Sequence, residues 1–206
     1  MAQAVESVGG VPQTRGQAFE RPRVPATIIP LAGLPIVVAV IGGMIAAIAT
    51  NTLWALDFYH VVGGGLWTAI DLFVGLVIGP IMGSLPTAAR AAFSARFMPK
   101  MSLIMPTLVT MTLGAGWQLA RHLGNLQAGG AKHGWLVASY AVVGVMAVIA
   151  LGLLEPANIA VLFEMRKERP DPAVIERLMR RFIYTAGITG LMQVATLIIM
   201  TRLATI

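Results

Sequence analysis

The chain contains no cysteine among its 206 residues. Disulfide frameworks, thiolate metal sites, thioether-attached haem and cysteine nucleophiles are therefore excluded. Any cofactor has to be held by histidine, methionine, carboxylate or main-chain groups. Common catalytic motifs are missing as well, because the sequence has no G-x-S-x-G, no H-E-x-x-H and no phosphate-binding glycine loop.

Charge is also scarce, since Asp, Glu, Lys and Arg make up 12% of the chain whereas soluble domains carry about a quarter. Hydrophobic residues make up 57%, and the mean hydropathy is +0.78. A soluble fold of this length needs more polar residues to cover its surface. The composition predicts an integral membrane protein surrounded by lipid. We expect the net charge of +6 to set the orientation of the protein at the lipid surface, and we expect no nucleic-acid partner.

Long apolar runs predict five transmembrane helices in one domain, residues 27–206. The fold class is therefore an all-α integral membrane bundle. A hydrocarbon core about 30 Å thick requires about 20 residues of helix. The predicted spans are residues 27–51, 54–85, 99–120, 133–163 and 182–205. Within the fourth span, Pro156 directly follows Glu155 and predicts a kink.

The basic residues predict the orientation. Twelve of the fifteen Lys and Arg residues fall in the tail, residues 1–26, or in the connections between spans two and three and spans four and five. The positive-inside rule then places the N-terminus in the cytoplasm and the C-terminus on the other side of the membrane. We expect a retained, extended tail and an interfacial helix over residues 164–181. The alternative for 164–181 is a solvated basic loop that only fixes the topology.

With this topology, all three histidines lie toward the extracytoplasmic side. His60 lies two turns into span two, and His122 and His133 flank the connection between spans three and four. Histidine is the commonest metal ligand in proteins. The three residues therefore predict a metal or cofactor site between spans two, three and four. The alternative is that each histidine is only a polar residue at the membrane interface.

Ionisable residues follow one face of span two. Asp57, His60, Gly64, Trp67 and Asp71 form a column, because 11 residues turn a helix by about 20° net. A carboxylate inside a membrane is expensive unless it faces the protein interior. We expect the column to face the bundle. Asp71 is then part of either a functional site or an interhelical hydrogen-bond clasp with a neighbouring Thr or Gln.

Two further features lie on spans three and four. Glu155 is a second intramembrane carboxylate, which we expect to be protonated or paired with a basic residue. A methionine series on span three offers soft thioethers that suit Cu(I), although methionine is also a routine apolar filler. The series consists of Met98, Met101, Met105 and Met111.

Residues 54–150 resemble the bacterial superfamily of copper-resistance-D-type membrane proteins and small haem-binding membrane protoporphyrinogen oxidases. The resemblance is carried by FYHVVGGGLWTAIDLFVGLVIGPIM, FSARFMPKMSLIMPTLVTMTLGAGWQLA and HGWLVASYAVV. The matching positions are His60, Trp67, Arg96, Pro106, Gly114, Gly116, Gly134 and Trp135. It implies a helical bundle in which His60 is an axial ligand of haem b or part of a copper site. The oxidase branch has a lysine shortly after the G-W pair, whereas this chain has Ser139 and no further basic residue in that span.

Three functional hypotheses follow. The first is a redox or metal-handling membrane protein in which His60, with His122 or His133 and with Trp67 nearby, holds haem b or copper. The alternative is a non-catalytic accessory subunit of a larger membrane complex. A small transporter that uses Asp71 and Glu155 is the third.

Overall fold

The computed structural model describes residues 30–130 and 132–206. The predicted tail, residues 1–26, and the first residues of span one lie outside this part. All regular structure in the described ranges is helical. Five stretches there are long and apolar enough to cross a membrane: Leu31–Thr50, Leu53–Ser84, Ala88–His122, His133–Met165 and Pro172–Thr205. The prediction of an all-helical bundle with five apolar spans is confirmed for the described residues.

Seven α-helices build these stretches. They are α1 (Leu34–Thr50), α2 (Leu53–Phe73), α3 (Gly79–Ser84), α4 (Thr87–His122), α5 (His133–Ile149), α6 (Glu155–Met165) and α7 (Pro172–Thr205). A 3₁₀ turn, Leu31–Gly33, precedes α1. Two π-helical segments continue the chain from α2 to α3 and from α5 to α6, namely Val74–Ile78 and Ala150–Leu154.

Both π segments lead directly into a proline. Pro80 lies in the first turn of α3, and Pro156 lies in the first turn of α6. A proline inside a helix lacks the N–H donor, and its ring clashes with the carbonyl four residues earlier. The wider π turn gives that carbonyl room without ending the helix. At Glu155-Pro156, where the sequence predicts a kink, the helix therefore continues through a wider π turn.

Two helices extend well beyond their predicted spans. α4 begins at Thr87 rather than near residue 99, and α7 begins at Pro172 rather than near residue 182. Local capping explains the start of α7, because the Asp171 side chain accepts a hydrogen bond from the Ala173 N–H at 2.8 Å. The predicted helix over 164–181 is thus present from Pro172, where it is continuous with α7, whereas residues 164–171 form the end of α6 and a turn.

The main core lies where α7 packs against α2, α5 and α6, and where α2 packs along α4. Glycines let two of these backbones touch: a Cβ on Gly75 would lie 2.5 Å from the Cα of Gly187. Such close approach favours packing between apolar helices in lipid. α1 is peripheral, because only Met44 and Ala47 are buried in it.

The bundle has two chemically different ends. We call one the histidine end, because the α1–α2 and α4–α5 connections lie there, close to the three histidines. The other is the arginine end, which holds the α3–α4 and α6–α7 connections. At the arginine end, Arg90 pairs with Glu176 at 2.8 Å and donates to the Leu85 carbonyl at 2.7 Å. Arg90 thereby joins the α3–α4 turn to the first turns of α7.

Candidate functional site

The His60 imidazole lies half-buried between α2 and α4. Its Nδ1 is 2.9 Å from the carbonyl oxygen of Thr112. A carbonyl oxygen can only accept a hydrogen bond, so Nδ1 carries the proton in this contact. In the neutral ring, the lone pair is then on Nε2. His60 is therefore held in one tautomer with its second nitrogen available as a ligand.

Glycine makes room for this ring. A Cβ on Gly116 would lie 2.6 Å from the His60 Cε1, which a folded chain does not tolerate without a shift. One turn farther along α2, a Cβ on Gly63 would lie 2.6 Å from the Thr112 hydroxyl oxygen. The two glycines let α2 and α4 approach closely enough for His60 to reach a main-chain carbonyl. This arrangement, in which the other ring N–H donates to a carbonyl, is the usual support of a ligating histidine.

The other two histidines form no three-ligand group with His60 among the described residues. His122 is exposed at the end of α4, and His133 is half-buried at the start of α5, which packs on α7. Within residues 30–130 and 132–206, no group of three His, Asp or Glu side chains could hold a metal ion. The part of the chain that the structure describes thus contains one oriented imidazole rather than an assembled three-histidine site.

Asp71 lies at the centre of a polar cluster between α2 and α7, and only 2% of its surface is exposed. Its Oδ2 accepts from the Gln193 amide at 2.6 Å and from the Trp67 indole at 3.0 Å. The Thr189 hydroxyl lies 3.1 Å from the same oxygen. This is the interhelical clasp with Thr and Gln that the sequence allowed. We call these four residues the Asp71 clasp.

The column predicted on span two is only partly correct. Trp67 and Asp71 are buried and His60 is half-buried, whereas Asp57 is exposed. Three residues turn a helix by about 300°, so Asp57 points about 60° away from His60. The indole N–H of Trp67 is donated to Asp71 in the core.

Glu155 and the methionines have different surroundings. Glu155 is half-buried at the start of α6, and the nearby polar contact joins the Asn158 amide to the Ser102 hydroxyl at 2.9 Å. All four methionines of the series are buried among apolar neighbours, where they fill the interface between α4 and the surrounding helices. Their thioethers therefore serve as core packing in this arrangement.

Three residues of the site were not identified from the sequence. Thr189 and Gln193 are separated from Asp71 by 118 and 122 residues, so local spacing gives no sign of the contact. Thr112 contributes its main-chain carbonyl oxygen. Every residue has such an oxygen, so the residue type gives no sign of this contact. Gly116, by contrast, is one of the positions that carry the family resemblance, although its contact with the His60 ring was not predicted.

The chain matches no protein-family model, no curated protein and no solved structure. These comparisons neither support nor oppose the resemblance seen in the sequence. The chemistry of the site follows from its own residues, which are one oriented imidazole at the histidine end and, deeper in the bundle, one carboxylate whose Oδ2 is contacted by three side-chain donors.

Proposed function

We propose that this protein spans a bacterial cytoplasmic membrane five times and binds haem b through His60 near its extracytoplasmic face. One observation carries the proposal: the hydrogen bond to the Thr112 carbonyl fixes the His60 tautomer and leaves the Nε2 lone pair for a ligand. Gly116 supports it, because a larger residue would push the ring away.

Haem suits this site better than copper does. A copper ion in a protein takes most of its ligands from side chains, whereas haem brings four nitrogens and needs one or two axial ligands. His60 is one oriented ligand, and no group of three His, Asp or Glu side chains suited to a metal ion is found among the described residues. When bound, haem would supply one-electron redox chemistry. His60 would hold the iron, and the Thr112 carbonyl would maintain the orientation of the ring.

The same proposal places the arginine end in the cytoplasm. Nine basic residues lie at or near that end in the described chain: Arg90, Arg96, Lys100, Arg166, Lys167, Arg169, Arg177, Arg180 and Arg181. Only Arg121, Lys132 and Arg202 lie toward the histidine end. A reporter fused after Ile206 is expected outside and one inserted at Pro170 inside, following the positive-inside rule. The opposite result would place His60 on the cytoplasmic side.

An optical spectrum tests the haem proposal. The protein is expressed in haem-replete cells, purified in mild detergent, and scanned for a Soret band. We expect the band in the wild type and its loss in His60→Ala. We also expect its loss in Gly116→Ala, where the histidine is kept but its ring is displaced. Matched controls are Gly65→Ala, where an added Cβ meets nothing within 4 Å, and His122→Ala, where the residue is exposed.

Several results contradict the proposal. Colourless wild-type protein without bound metal would replace it with the accessory-subunit hypothesis, which co-migration with a larger complex in native gels would then support. Stoichiometric copper without a Soret band would point to a copper site instead. An unchanged Soret band in His60→Ala would remove His60 from the site, and loss of the band in His133→Ala would add His133 to it.

A further inference from the structure

A cavity of about 450 Å³ lies at the arginine end, far from His60. It is enclosed by the end of the second span, the first turns of α4 and the first turns of α7. Ligand sites in proteins commonly have volumes of about 300–1,000 Å³ and mostly apolar walls. The walls here are largely apolar, with Met82, Met179 and Ile183 among the lining side chains.

One polar group in this cavity lacks a partner. Ser94 lines the wall and is 0% exposed. Its hydroxyl oxygen has no hydrogen-bond partner among the described residues. A buried hydroxyl without a partner is unfavourable, and native structures pair nearly all such groups. The Ser94 hydroxyl is therefore suited to donate to an oxygen of a molecule in the cavity.

The two arginines of the cavity differ in their engagement. Arg90 donates to the Leu85 and Gly83 carbonyls and pairs with Glu176, so its guanidinium is committed to the protein. Its charge also balances the carboxylate of Glu176, which is the acidic residue of the lining. Arg180 is exposed at the cavity and has no hydrogen bond or ion pair within the part of the chain that the structure describes. The cavity therefore presents one uncompensated positive charge at its edge.

We propose that this cavity binds an anionic phospholipid, with a phosphate oxygen at Arg180, a second oxygen accepting from Ser94, and an acyl chain along the methionine and isoleucine wall. Charge complementarity favours an anion. The apolar wall favours a lipid over free phosphate, because only a molecule with a hydrocarbon part would cover it. Tyr184 lies in the lining with 68% of its surface exposed, so the cavity opens to the surroundings of the bundle.

Native mass spectrometry of the full-length protein in detergent tests this proposal. Phosphatidylglycerol and phosphatidylcholine are titrated separately, and the first bound lipid is quantified. We expect tighter binding of phosphatidylglycerol. One basic residue near a lipid surface contributes about a fivefold change in affinity, so Arg180→Gln is expected to weaken phosphatidylglycerol binding about fivefold. Ser94→Ala should weaken it less, because a neutral hydrogen bond is lost.

Arg177→Gln is the matched control, since Arg177 lies on the same helix and is exposed but does not line the cavity. It should change the affinity less than twofold. Equal losses in Arg177→Gln and Arg180→Gln, or equal affinities for the two lipids, would overturn the proposal in favour of nonspecific surface binding. A third arm adds inorganic phosphate as a competitor. Displacement of the lipid by millimolar phosphate would show that the cavity recognises the free anion, whereas unchanged lipid binding supports a lipid site.

Discussion

Asp71 and His60 are separated by about three turns of the same helix, yet their hydrogen bonding is opposite in character. Asp71 is almost fully buried, and three side-chain donors from α2 and α7 surround one of its oxygens. His60 is half-buried and makes one hydrogen bond, to a main-chain oxygen of α4. The carboxylate is engaged by the protein itself, whereas the imidazole keeps one nitrogen for a partner.

This difference separates a structural group from an available one. An ionisable residue within a membrane span is by default a candidate for function. The Asp71 clasp instead joins two helices through three donors on one carboxylate oxygen, while the Gln193 Oε1 has no hydrogen-bond partner among the described residues. Neighbouring glycines fit each role: a Cβ on Gly190 would lie 3.0 Å from the Leu72 nitrogen, beside the Asp71 clasp, so the backbones meet there. Gly116 makes room for a ring instead.

The largest expected effect comes from breaking the Asp71 clasp. Asp71→Leu should lower the free energy of unfolding by about 2–4 kcal/mol, because it leaves the buried Trp67 and Gln193 donors without their acceptor. Asp71→Asn keeps a carbonyl oxygen at the same place and should lower it by about 1 kcal/mol. Unfolding by SDS titration in mixed micelles measures both. Equal tolerance of the two substitutions would contradict a structural role for the clasp.

The second prediction concerns the backbone contact beside the clasp. Gly75→Ala places a Cβ against the Gly187 backbone, which cannot move aside like a side chain. Overpacking of this kind is expected to lower the free energy of unfolding by about 1–3 kcal/mol. Gly144→Ala in α5 is the control, because nothing lies within 4 Å of the added atom. It should be neutral or slightly stabilising, since alanine favours helix. Similar losses in both variants would show that contact with the Gly187 backbone does not determine the result.

The sequence correctly predicted that Asp71 faces the interior of the bundle, because a carboxylate on an apolar helix is energetically costly when it faces lipid. It could not name the partners, since Thr189 and Gln193 come from a helix more than a hundred residues away. The exposed position of Asp57 was missed for a geometric reason. Asp57 and His60 are only three residues apart in the sequence. On a helix this spacing turns the Asp57 side chain about 60° away from that of His60.

Helix boundaries show a similar limit. Hydropathy located all five apolar stretches, because lipid demands long apolar runs. It did not locate the first turns of α4 and α7, which carry Arg90 and Glu176. The Asp171 side chain caps the first turn of α7, and the Arg90–Glu176 ion pair joins the first turns of the two helices. The cavity at the arginine end is built from these turns, so it could not be expected from spans alone.

The third prediction tests whether Gly116 exists for the His60 ring. Gly116→Ala alone should lower the free energy of unfolding by about 1–2 kcal/mol, because the new Cβ overlaps the imidazole. In a His60→Ala background the overlap is gone, and the same substitution should become neutral or stabilising. A double-mutant cycle measures this change of sign. Additive losses would mean that the glycine serves the helix contact and not the ring.

The smallest expected effect on stability is that of His60→Ala. The substitution removes one neutral hydrogen bond to a carbonyl of a helix, and such bonds between membrane helices contribute about 0.6 kcal/mol on average. We therefore expect the apoprotein of His60→Ala to unfold within about 1 kcal/mol of the wild-type apoprotein, while the Soret band is lost. A large drop in apoprotein stability would contradict this separation and would group His60 with Asp71 as a residue that holds the bundle together. A small drop with loss of the band would mean that His60 is retained for what it binds, because the fold hardly needs it.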